Sequence, residues 1–375
     1  MRTFGVEEEF LIVDPDSGKP LPLAGEVLRL HDLESQAMHP TRNLVLTPEL
    51  QQEQLEAVTG VHSDLSELAV EITAGRTYAD SLAQRVGARI AALATSPVPV
   101  APHATPNPRY DAMVEMFGLT AREQLTCGFH VHVSVNSDEE GVGVLDRIRC
   151  WLAPLIALSA NSPFWNGADS HYASFRTQAW NRWPTAGPTG VFGSAQAYHE
   201  LIDDLLGTGV VKAPDFDARL SRTYPTVEVR VADVCLNPDD TVLLAALVRG
   251  LVETAGREWA AGQPADATHT ALLRQGAFRA SRWGVRGDLL NPLTHRPASA
   301  ADVINALHDH VRDALDESGD AAYVRDSLDR VLREGTGTEQ QRRAYEGRKS
   351  LSDVVGHATN RTHGISGGPW LATPA

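Results

Sequence analysis

The chain has 375 residues, 42% hydrophobic and 22% charged, with 30 glycines and 22 prolines; this make-up is that of a globular protein and excludes a disordered, fibrous or solenoid chain. Thirty-three basic against 48 acidic residues leave a net charge of −15, which argues against nucleic acid or an anionic membrane as partner. Three widely spaced cysteines, Cys127, Cys150 and Cys235, match neither a disulfide framework nor a metal knuckle, so a reducing compartment is expected.

In chain order, FGVEEEFLIV at 4–13 reads as a strand, with Phe4, Val6, Glu8, Phe10 and Ile12 on one face and Gly5, Glu7, Glu9, Leu11 and Val13 on the other. Its triple glutamate is unlike a signal peptide, and no apolar run reaches 18 residues, so the expected location is cytoplasmic and no membrane span is expected. Residues 14–26 carry turn chemistry, and a second extended region covers 44–59 with an interruption near Pro48. Over 62–93 the apolar residues recur every three to four positions, which predicts a long helix with Gly75 as a possible break. CGFHVHVSV at 127–135 returns to period two, and 143–160 reads as an apolar helix.

Residues 161–194 are long, irregular and rich in aromatics, as binding loops often are. A strand is expected at 226–234 and helices at 239–260, 268–282, 299–317, 320–334 and 338–358, with 362–375 a flexible tail or lid. There is no repeat and no clear linker, so 1–375 reads as a single domain. Strands lie early and helices cluster late, which argues for an α+β fold built on an antiparallel sheet.

Three strands put chemistry on one face. Glu7 and Glu9 stand side by side, a repulsive pair unless a cation or base neutralises them. Glu8 points the other way, among apolar residues, as a paired structural carboxylate would. His130 and His132 share a face, as do Glu228 and Arg230, and Glu49 and Glu56 flank the broken second strand. Each pair alone also fits a plain structural role. Together, oxygen-rich ligation points to Mg²⁺ or Mn²⁺, and arginines suit phosphate. The combination describes a nucleoside triphosphate site without a phosphate-binding glycine loop, since no GxxxxGK[ST] or GxGxxG occurs.

These residues resemble the glutamate–cysteine ligase type 2 group, the YbdK-like carboxylate–amine ligases. The resemblance rests on GVEEEFLIVD (5–14), TPELQQEQLEAVTG (47–60), RYDAM (109–113), CGFHVHVSV (127–135), LSANSPFWNGADS (158–170), SFRTQAWNRWP (174–184) and PTVEVRVADVC (225–235), with FRASRWG (278–284) a weaker match. It implies a glutamine-synthetase-like fold whose curved antiparallel sheet forms a funnel with helices packed outside. It implies an ATP-dependent ligase that joins a carboxylate to an amine through an acyl phosphate, with Mg²⁺ (Mn²⁺ possible) as cofactor. Glu7, Glu9, Glu49, Glu56 and Glu228 match the metal carboxylates. His130 matches the histidine near the ATP phosphates and metal, with His132 beside it; Arg230, His130 and Arg282 are the catalytic candidates, and His132, Arg176, Arg219 and Arg222 candidates for binding nucleotide or substrate. Small-molecule carboxylates and amines are the implied partners, in a homodimer or higher homo-oligomer. Departures at Phe216, Leu220 and the His103–Pro106 run fall on the substrate side. A phosphotransferase, or a non-catalytic nucleotide- or amino-acid-binding protein on the same scaffold, is the alternative.

Overall fold

The computed structural model describes residues 2–37, 44–211 and 213–363. Seven strands form one sheet: β1 (Phe4–Val13), β2 (Val45–Pro48), β3 (Gln54–Val58), β4 (Arg89–Ala91), β5 (Gly128–Ser134), β6 (Ala218–Leu220) and β7 (Thr226–Asp233). The path runs β2-β3-β1-β5-β7-β6, with every pairing antiparallel. Leu11 pairs with Gln54 on one side and Ala91 on the other, so β4 continues the line of β5 along the second half of β1.

The α+β class stands, but the funnel does not: the sheet is open, ending at β2 and β6. Both edges are short, and helices meet them instead of further strands. At β2 the Leu46 N–H points at His31 Nε2 (3.5 Å) from helix Ala24–Ala37. At β6 the Leu220 N–H donates to the Tyr198 hydroxyl (3.2 Å) from helix Ala195–Gly207. Edge groups satisfied this way offer no register for closing the sheet on itself.

The period-two reading of the faces holds. Phe4, Val6, Phe129, Val131, Val133, Val227, Val229 and Val231 pack into one core with helix Pro238–Ala260 and its neighbours. Glu8 lies on this face and is paired there. Arg76, wholly buried, donates through Nη2 (2.5 Å) and Nε (3.1 Å) to its two oxygens, and to the carbonyls of Cys235, Leu236 and Thr362. Thr241 adds a hydroxyl bond to Glu8. The pair is tolerable in the interior because its polar atoms find partners.

Several helix boundaries differ from the expectation. The run at 62–93 is helical only over Leu65–Arg85, where Asp64 caps the N–H groups of Ser66 and Glu67. Gly87, at φ 78°, turns the chain out of the helix. Gly75 breaks nothing, since an added Cβ would lie 3.0 Å from Leu44 Cδ1 and the glycine allows that close approach. The single helix expected at 338–358 is two, Gly337–Arg348 and Leu351–Thr362, parted at the left-handed Lys349. Helix Ala24–Ala37 starts inside the expected loop. The expected tail lies outside the described residues, apart from the buried Thr362 and the adjoining His363.

Candidate active site

The sheet face opposite the core lines a cavity of about 640 Å³. Alternation along β1 sends Glu7 and Glu9 into it, and the antiparallel register sets their neighbours. Glu7 faces His130 on β5, Glu9 faces Glu56 on β3, and His132 faces Glu228 on β7. β5 and β7 shift register between Phe129 and Val131, so Arg230 lies beside a bulge, a device that re-aims side chains on a sheet face.

Three overlapping sets of donors result: Glu7, Glu56 and His130; Glu7, His132 and Glu228; and Glu9, Glu49 and Glu56. Within each set the donor atoms lie within 4.8 Å of one another. Their supports fit a hard divalent cation. His132 Nδ1 bonds the Thr226 hydroxyl (3.0 Å), while its buried Nε2 has no hydrogen bond among the described residues and sits 3.2 Å from Glu7 Oε1. An Nδ1 proton held by Thr226 leaves the Nε2 lone pair turned to the set. Glu9 accepts the Gly128 N–H (2.6 Å) and Glu56 the Thr47 hydroxyl (2.5 Å).

The electrostatics show the strain of a cluster without cations. Burial, then the Glu9 charge, push Glu49 up to about 8. Burial, then Glu49, Glu7 and Glu9, push Glu56 well above the usual range. Burial would also raise Glu7, but the adjoining His130 and His132 imidazoles hold it well below the usual carboxylate range. Burial and the Arg230 charge lower His130. Glu228 is held at about 2, because Arg230 and Arg219 outweigh its burial.

Arg219 grips Glu228 with two bonds, Nε to Oε2 (2.8 Å) and Nη2 to Oε1 (3.2 Å). Arg230 also bonds Glu228, and its guanidinium carbon lies 5.6 Å from the Trp180 ring centre. Its buried Nε has no partner among the described residues, a donor left for an anion. Arg222 lines the cavity too.

Two expected site residues are not brought here. Arg282, near the end of helix Thr270–Trp283, donates to the His171 carbonyl and stands over the Tyr172 and Trp283 rings, outside the cavity lining. Arg176 lies buried behind the wall, with Nη1 and Nη2 each 3.4 Å from the carbonyls of Val231 and Arg230. It backs the strand that carries Arg230. The cavity also collects residues to which the sequence reading gave no role: Arg109 and Tyr110 from helix Pro108–Phe117, Gln54, Thr126 and Asp215. The RYDAM and SFRTQAWNRWP segments were the signal for the first two and for Trp180 and Trp183; for Asp215 it was the departure at the adjoining Phe216.

A family model described as "Glutamate-cysteine ligase family 2 (GCS2)" matches residues 3–357. A Paenarthrobacter aurescens protein provisionally named glutamate–cysteine ligase 2-1 is 54% identical over 369 residues, 97% of this chain and 95% of its own length. A Streptomyces coelicolor protein provisionally named glutamate–cysteine ligase 2 is 47% identical over 365 residues, 96% of this chain and 99% of its own. Among solved structures, a glutamate–cysteine ligase of Francisella tularensis in complex with AMP superposes with a TM-score of 0.67 at 14% identity, over 97% of this chain and 89% of that one. A bifunctional glutathione synthetase of Pasteurella multocida gives 0.68 at 15% identity, over 96% of this chain and 52% of that one. At such identities the two structures speak for a shared fold. Among the described residues, no helix is long and apolar enough to cross a membrane.

Proposed function

This chain belongs to glutamate-cysteine ligase family 2, and from that premise we propose how its site carries out ATP-dependent carboxylate–amine ligation. The observation that carries the reading is the triple donor set on one sheet face, with Arg230 adjoining. In it, Glu7, Glu9, Glu49, Glu56, Glu228, His130 and His132 would hold Mg²⁺ (or Mn²⁺). Such an ion would supply charge neutralisation for the triphosphate and the reacting oxygens.

The chain's own groups do the rest. Arg230, kept cationic by Glu228, binds the phosphoryl group in transfer from ATP to the acid substrate. Arg219 fixes the Glu228 carboxylate, so that Arg230 meets the anion from one position. Neutral His130 turns Glu7 toward the cavity. The two anions that must meet, carboxylate and γ-phosphoryl, repel each other, and this cationic ring offsets that repulsion. Transfer yields an acyl phosphate and ADP; attack by the amine on the acyl carbon then forms the amide and releases phosphate. Trp180, Trp183 and Tyr110 enclose the cavity and limit water at the acyl phosphate.

Glutamate, through its γ-carboxyl, and cysteine are the substrates we propose, following the names of the relatives. We further propose one catalytic unit over 1–375, assembled as a homodimer or higher homo-oligomer in the cytoplasm; light scattering tests the assembly. The activity test is ADP formation with Mg²⁺, ATP, glutamate and a panel of amines, with mass analysis of the products. An amine-dependent amide supports the proposal. ADP with a phosphorylated product and no amide would replace it with a phosphotransferase.

A further inference from the structure

Six carboxylates line the cavity, and five belong to the donor sets. The sixth, Asp215, belongs to none. It stands on the segment before β6, tied to the aromatic loop. Its backbone N–H donates to Thr185 Oγ1 (2.8 Å), and the Thr185 hydroxyl returns a bond to Oδ2 (3.1 Å). Trp180 Nε1 donates to its carbonyl (3.3 Å). Oδ1 has no hydrogen-bond partner among the described residues. The largest charges acting on the carboxylate are Arg230, Arg219 and Arg109. Trp183 lines the same cavity, an aromatic surface that suits an ammonium group. Asp217, two residues on, lines a smaller cavity with Arg176 and Arg274.

A ligase of this type must take up its amine as an ammonium ion and convert it to the free base beside the acyl phosphate. Carboxylates bound to cations are poor proton acceptors, because the cation competes with the proton. Asp215 belongs to no donor set, and burial outweighs the arginine charges around it, so its proton affinity is raised. We infer that Asp215 binds the ammonium group of the amine substrate and accepts its proton. This assignment rests on the ligase reading above and supplies the base that reading lacks. Asp215 takes one proton from R–NH₃⁺. The free amine then forms the C–N bond as the acyl C–O bond to phosphate breaks, and its second proton leaves on the phosphate. Burial raises the proton affinity of Asp215, which favours the first transfer.

The test separates the two half-reactions. Wild type and Asp215→Asn are supplied with Mg²⁺, ATP and a pool of the twenty amino acids, with and without hydroxylamine, at pH 7.5. Hydroxylamine is already neutral there and traps the acyl phosphate as a hydroxamate without needing a base. Asp215→Asn is expected to lose amide formation by about 10²-fold or more, the scale of a positioned base, while hydroxamate formation stays within about threefold. The retained half-reaction also shows that the variant is folded. Equal loss of both products, or undiminished amide formation, overturns the assignment. A wild-type enzyme that makes no hydroxamate overturns the acyl-phosphate reading, and this one with it.

Discussion

Glu49→Gln separates stability from activity. Its carboxylate shares a donor set with Glu9 and Glu56, and burial and the Glu9 charge move its pKa from 4.5 to about 8. A folded-state pKa above the unfolded value means that the folded protein holds the proton more tightly. The associated stability is full below pH 4.5, falls as pH rises, and is gone above about 8. At ~1.4 kcal/mol per pH unit the upper bound is ~5 kcal/mol. Glu49 is partly open to the cavity, and water screening reduces the expected effect to about 1–2 kcal/mol. Glutamine keeps an acceptor for the Leu50 N–H, which Glu49 Oε2 meets at 3.2 Å, and removes the charge. In EDTA, urea unfolding at pH 9 should therefore find Glu49→Gln more stable than wild type by about 1–2 kcal/mol, with the difference vanishing near pH 5. Added Mg²⁺ should stabilise wild type far more than the variant, and ADP formation by the variant should fall by about 10²-fold or more. A variant less stable than wild type at pH 9, or equally protected by Mg²⁺, would refute the cation-cluster reasoning.

Arg230→Ala should lower ADP formation by at least about 10²-fold, ~2.7 kcal/mol of transition-state stabilisation; a near-wild-type rate in a steady-state assay would leave Arg230 as a partner of Glu228 alone. Arg76→Ala strands the buried Glu8 carboxylate and should cost about 3–5 kcal/mol of stability, read by urea unfolding; a loss under about 1 kcal/mol would mean that water reaches Glu8. Because Glu49 and Glu56 bind protons more tightly than usual without a cation, Mg²⁺ binding at pH 7 should release protons. Calorimetry in buffers of different ionisation enthalpy checks this, and a buffer-independent heat would contradict it.

Much of the site was legible in the chain because a strand alternates with period two. Once 4–13, 127–135 and 226–234 read as strands, Glu7, Glu9, His130, His132, Glu228 and Arg230 had to stand on faces opposite their apolar neighbours, and the same alternation set Glu8 apart. The family motifs then named the chemistry. Periodicity carries no information on which strand lies beside which, or on how far an arginine reaches. Only the register placed Glu7 against His130 and Glu9 against Glu56, and with that the division of seven candidate donors into three sets.

The open sheet followed from side chains on distant helices, His31 and Tyr198, meeting the edge N–H groups. Arg76 lies 68 residues from Glu8, and no local pattern announces such a partner. Arg176 and Arg282 shared a residue type with Arg230, yet chain packing turned one behind the wall and the other outside the cavity. Asp215, in an irregular segment without alternation, was brought to the cavity by Trp180 and Thr185. The α+β class, the family and the polar faces were readable from the chain, because these are written in short-range pattern and residue type. The sheet's open edges, the pairing of buried charges and the one cavity carboxylate outside the donor sets came only from packing, because contacts between residues far apart in the chain depend on how the elements meet.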